Sequence, residues 1–212
     1  MQRQWHRRPA RPLLIPLLLA MLLVGTLQST VLAQTGEPID PAECQVEPIA
    51  VETLMPLWFP EQAATPGPAT PAAQPELTSV PLPLGEPADP ATVAGITAAV
   101  RELFACQNRI ENGRVYALLS ADLLRQDGPP PGEGPEDLPA HLAPFEPIPV
   151  EEYVRLIAIT DVSVMADGRV AALVVGDDPP IPPEGPETQL MLFVEEGERW
   201  VLDAVTGFSA GE

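Results

Sequence analysis

The sequence predicts an α+β fold, helices packed on an antiparallel sheet, with an export leader and a proline-rich spacer in front. Three observations predict it. Apolar residues recur at three- and four-residue steps between Val93 and Phe104, the period of one helix face. Two runs rich in β-branched residues flank Asp167-Gly168, and two more apolar runs flank Glu196-Gly197, which reads as a pair of hairpins. Proline clusters in the stretches between these elements, where it cannot interrupt a helix or a ladder.

Residues 1–33 read as a signal peptide. Arg3, Arg7, Arg8 and Arg11 precede an apolar run from Leu13 to Val24, and the small residues Val31 and Ala33 precede Gln34. That is a basic region, a short hydrophobic region and an A-x-A-like cleavage site. The rival reading is an uncleaved anchor, since Leu13 to Ala33 is about the 20 residues a membrane span requires. Pro16, Gly25 and the polar stretch Thr26 to Thr30 favour cleavage. Arg7-Arg8 is followed by Pro9, which departs from a twin-arginine signal, and no lipobox cysteine follows the apolar run. Either way the remainder is secreted or extracytoplasmic, and touches a membrane only through an uncleaved leader.

Beyond the leader there are 30 acidic side chains against seven arginines and no lysine, 23 net negative charges. Such a polyanion is repelled by nucleic acid and by anionic lipid headgroups, so neither is an expected partner. Cys44 and Cys106 sit in an oxidising compartment, where pairing is the default; two buried free thiols are the alternative. A disulfide closing this loop would contribute roughly 4 kcal/mol by chain entropy. A catalytic cysteine would need a histidine partner, and only His141 lies beyond the leader.

The organisation follows from composition. Residues 34–60 form a short apolar segment expected to dock on the domain through Cys44. Residues 61–89, rich in Pro, Ala and Thr, form a linker with too little apolar bulk to offset its ordering entropy. Residues 90–208 form the domain. Asp89 caps its first helix and Pro90 suits the first turn; the core stripe is Val93, Ile96, Val100, Leu103, Phe104 and Gln107. The helix is expected to end just before Asn112-Gly113, whose residues tolerate positive φ, and a second runs from about Arg114 to Arg125 with Val115, Leu118, Leu119, Leu123 and Leu124 as the inward candidates. Gly128 to Pro149 is an irregular loop, pinned by Leu138, Leu142 and Phe145. Strands span Ile157 to Met165 and Val170 to Val175, with Met165 opposite Val170. A proline-rich arch from Asp178 to Pro186 leads to strands Leu190 to Val194 and Trp200 to Val205, with Phe193 opposite Trp200.

Helix, break, short helix, irregular stretch and hairpins come in the order of the nuclear transport factor 2-like superfamily, including SnoaL-like domains. The chain resembles it at Ala105-Cys106-Gln107-Asn108, at Tyr116 to Asp122, at Asp161 to Val170 and in the closing run Phe193 to Asp203. The likeness covers about Pro90 to Phe208. It implies a curved, cone-like sheet, and an activity that ranges across the superfamily from isomerases, dehydratases and cyclases to domains that only bind or dimerise. None of the matched motifs is catalytic. The proline-rich loop replaces the early hairpin and third helix of many members, which implies a rebuilt or incomplete cone mouth.

Where such domains catalyse, an acid or base abstracts a proton beside a carbonyl. Tyr116, Asp203 and Asp161 are the leading candidates here, followed by Asp122, His141 and Tyr153. Each has a structural explanation: Tyr116 as a core or rim tyrosine, Asp122 as a surface or capping residue, Asp203 as a solvated or arginine-paired carboxylate, His141 as an exposed loop residue. No zinc spacing, EF-hand, Gly-rich phosphate loop or Gly-x-Ser-x-Gly elbow occurs, so no metal or cofactor is expected. The expectation is an exported, non-catalytic module for a small ligand or a protein. The alternatives are a SnoaL-like enzyme with a small apolar substrate, and a structural envelope protein dimerising through its sheet.

Overall fold

The computed structural model of the chain describes Gly36, residues 38–60, 84–177 and 186–208. The leader (1–33), residues 61–83 of the linker and residues 178–185 of the arch lie outside the described residues. Among the described residues the fold is α+β. Its helices are α1 (Val51–Trp58), α2 (Pro90–Arg109), α3 (Asn112–Tyr116), α4 (Ala121–Asp127) and α5 (Leu138–His141). The sheet comprises β1 (Glu86–Pro87), β2 (Arg155–Val164), β3 (Val170–Asp177), β4 (Glu187–Glu196) and β5 (Arg199–Phe208). It is antiparallel, runs in sequence order and is not closed.

Helix α2 starts where its cap dictates. Asp89 Oδ1 accepts the backbone N–H of Ala91 and Thr92, and Oδ2 accepts the Thr92 hydroxyl at 2.6 Å. Those bonds, the Thr92 hydroxyl first, hold its carboxyl below the ordinary range. Ile96, Val100, Leu103 and Phe104 face the core as expected, but Gln107 is exposed and the next residue, Asn108, is buried. The helix ends just before Asn112-Gly113, as expected, but the left-handed residue is Ile110, at φ 53°, and Asn112-Gly113 opens α3.

The second expected helix is in fact two. Between α3 and α4 the backbone turns so that Ser120 N–H donates to Leu202 O at 2.7 Å and Leu202 N–H donates to Leu118 O at 2.8 Å. Ser120 then caps α4 by accepting the N–H of Leu123. A straight helix through 117–120 would forfeit these bonds to β5.

Both hairpins form, the first one residue and the second two residues out of the expected register. Gly168, at φ 89°, closes a three-residue loop in which Met165 N–H donates to Arg169 O, so Val164, rather than Met165, faces Val170. In the second hairpin Gly197, at φ 67°, opens the two-residue loop as a type II′ turn requires. Glu196 therefore pairs with Arg199 and Trp200 sits opposite Glu195; Phe193 pairs with Leu202.

The central strands are buried on both faces. Val170, Ala172, Val174, Met191, Phe193 and Leu202 pack with α2, while Ala171, Leu173, Leu190 and Leu192 pack on the far side with Leu84, Met165 and Ala204. This is why β3 reads as a continuous apolar run. Both sheet edges are partly capped: Glu86-Pro87 and Pro38 bond to the two ends of β2, and Leu119 bridges to Leu202 of β5.

Residues 38–60 are part of the same body. Cys44 and Cys106 form a disulfide, with Cα atoms 4.8 Å apart. Ile39, Cys44 and Val46 join the main core, and Leu54 and Trp58 of α1 build a smaller core with Leu124 and Leu138. Leu138 and Leu142 thus anchor the proline-rich loop as expected; Phe145 does not, being 51% exposed.

Candidate functional site

Two groups of polar side chains stand out, one on each side of α4. The first joins three segments distant in sequence. Trp58, at the end of α1, donates its indole N–H to Leu124 O at 2.7 Å. Its ring meets those of Tyr116 and His141 edge-on, with centroids 5.2 and 5.9 Å away, a favourable aromatic geometry. Tyr116 and His141 lie nearly parallel, and the Tyr116 hydroxyl is 2.7 Å from His141 Nε2. His141 Nδ1 is 3.1 Å from Glu133 Oε2. Asn112 Nδ2 donates to the His141 backbone carbonyl.

Glu133 Oε2 stands at ion-pair distance from Nδ1 without accepting a hydrogen bond; in the tautomer protonated on Nδ1, Nε2 accepts from Tyr116. The connectivity is that of a nucleophile, a base and an orienting carboxylate. The electrostatics run the other way. Burial, then the negative charges of Glu133 and Asp127, push the Tyr116 hydroxyl above its usual range. An activated nucleophile needs the opposite shift, so Tyr116 remains a protonated hydrogen-bond donor that ties the proline-rich segment to the helices. His141 belongs to α5 and its side chain keeps only 12% of its exposure; the expectation of an exposed loop histidine is corrected.

The second group lies at the α4–β5 junction. Ser120 Oγ donates to Asp203 Oδ1 at 2.8 Å while accepting the N–H of Leu123. Arg169 reaches Asp203 Oδ2 at 3.3 Å and Asp167 at 2.8 Å. Asp203 is therefore an arginine-paired carboxylate with both oxygens engaged. Asp161 does not join it. It sits exposed at a bulge of β2, at φ 52°, between the Thr160–Leu173 and Ser163–Ala171 pairs. Asp122 pairs with Arg125 on the surface, and Tyr153 is half-buried just ahead of β2.

Tyr116 and Asp203 thus belong to separate groups, and Asp161 to neither. Trp58 and Glu133 were missed. Trp58 belongs to an apolar segment that gave no sign of which loop it would meet, and Glu133 lies among prolines and glycines. Leu138 and Leu142, four residues apart, were the available sign that His141 rides on a helical turn. Among the described residues, no three His, Cys, Asp or Glu side chains are grouped to hold a metal ion, and no helix is long and apolar enough to cross a membrane. Comparison with known proteins finds no family model, curated protein or solved structure that matches this chain.

Proposed function

We infer that the chain is an exported, non-catalytic protein-interaction module, built on a curved-sheet body of the nuclear transport factor 2-like type. The observation that carries this reading is Asp203. The sheet carboxylate best placed to act as a base has one oxygen bonded to Ser120 and the other paired with Arg169, so both of its oxygens are already occupied by groups of the fold. Tyr116, held protonated by burial and by nearby negative charge, suits a structural donor. The disulfide fits an oxidising compartment outside the cell. A sheet-to-sheet dimer has little to recruit it, because Ala171, Leu173, Leu190 and Leu192 are already buried within one chain.

The enzymatic alternative is tested by the step that its reactions share. Small enolisable ketones are incubated with the protein in D2O, and deuterium uptake beside the carbonyl is followed by NMR. The expected result is exchange at the buffer rate. Exchange accelerated by the protein, and abolished by Tyr116→Phe or Asp203→Asn, would establish proton abstraction and overturn this reading. Chemical cross-linking of the exported protein in its native medium should in turn yield one discrete protein adduct.

A further inference from the structure

We propose that residues 144–149 are a preformed polyproline II ligand, displayed for a partner protein with an aromatic-lined groove and a basic rim. The proposal rests on the interaction-module reading and names the surface and partner class that it leaves open.

The conformation is dictated by sequence. Proline fixes its own φ near −65° and drives the residue before it into the extended region. In Ala143-Pro144-Phe145-Glu146-Pro147-Ile148-Pro149, every residue except Phe145 either is a proline or precedes one. Residues 144–149 accordingly carry no helix or strand, and Pro149 sits at φ −63°, ψ 149°, the polyproline II values. This helix has three residues per turn. Pro144 and Pro147 therefore share a ridge, in the spacing that Pro-x-x-Pro grooves read, and Val150 opens the 3-10 turn that follows it.

The segment is held at both ends and bare between them. Phe145 N–H donates to Ile110 O, and just past the other end Val154 N–H donates to Asn108 Oδ1 at 2.7 Å. Phe145 is 51% and Val150 56% exposed, so both apolar side chains are available to a docking partner. A ligand already fixed in its bound shape loses little entropy on docking. Charge selects the partner's rim. From residue 126 to 154 there are seven acidic side chains and no lysine or arginine, and Glu146, Glu151 and Glu152, beside the ridge, are all exposed.

The test titrates the isotopically labelled full chain with purified SH3, WW and EVH1 domains, the probes for such a ligand. With at least one of them, amide resonances of residues 143–152 should shift saturably. Phe145→Ala combined with Pro147→Ala should weaken that binding at least tenfold while the β3 and β4 resonances stay in place, and raising the salt from 50 to about 300 mM should weaken it further. No shift with any domain, or shifts that map elsewhere or survive the double substitution, would overturn the proposal. A cross-linked protein adduct that the double variant still forms would overturn the proline surface while leaving the interaction module standing.

Discussion

Asn108 serves three segments of the chain at once. Its amide group donates to Ile39 O at 2.9 Å and Val154 O at 3.0 Å, and its oxygen accepts the N–H of Val154 at 2.7 Å. Truncation to alanine strands buried backbone groups, so Asn108→Ala should lower the unfolding free energy by about 3 kcal/mol, read from urea denaturation. Asn108→Asp should cost at least as much at neutral pH, since a carboxylate cannot donate to two carbonyls. Asp161 offers a test of opposite appearance. It is exposed and lies within a strand, where valine would ordinarily be welcome. Its left-handed backbone reverses the sign, and Asp161→Val should destabilise by about 1–2 kcal/mol. Glu111 gives a pH signature. Burial pushes its carboxyl upward, but hydrogen bonds from Arg109 and Arg114 outweigh it and leave the group below its ordinary value. A depressed carboxyl contributes stability above its unfolded value, about 4.3, and loses it as pH falls through the folded one. The gap in unfolding free energy between the native protein and Glu111→Gln, read from urea denaturation, should be under about 1 kcal/mol at pH 7 and should close below pH 4.

At the scale of elements, the contact between α2 and β5 turns on a hydrogen atom. A methyl group at Gly95 would stand 2.7 Å from Trp200 Nε1 and 2.8 Å from Cδ1, in the middle of a rigid ring. Helix propensity alone favours Gly95→Ala by about 1 kcal/mol, while overpacking costs about 1–3 kcal/mol. We expect net destabilisation, which thermal unfolding would register as a lower midpoint. Elements of this kind were largely legible beforehand. The Asp89 cap, the Ile96-Val100-Leu103 stripe and the two glycine turns state local preferences that nothing distant opposes. The misses occur where distant backbone intervenes. Leu118 and Ser120 look helical in isolation, but β5 takes their hydrogen bonds. The hairpin registers slipped, by one residue in the first and two in the second, because register depends on which residue of the turn adopts positive φ, and Asp167-Gly168 and Glu196-Gly197 each permit more than one answer. The Trp58–Tyr116–His141–Glu133 group could not be foreseen at all, since it depends on how a short helix of four residues lands on another 80 positions upstream.

For the molecule as a whole, the covalent link matters most. The disulfide joins Cys44 to Cys106 across 62 positions, and Cys106 is completely buried. Replacing both cysteines with serine should lower stability by roughly 4 kcal/mol, seen as a drop in urea midpoint that matches the one dithiothreitol produces in the native protein. The link also defines a closed ring of main chain containing all of residues 61–83, the stretch with the least apolar bulk. A protease that cut once anywhere within that ring would divide the polypeptide without dividing the particle. The two pieces would travel together on a non-reducing gel and part only after thiol treatment. Wherever hydrolytic enzymes are common and reductants scarce, a single nick is survivable.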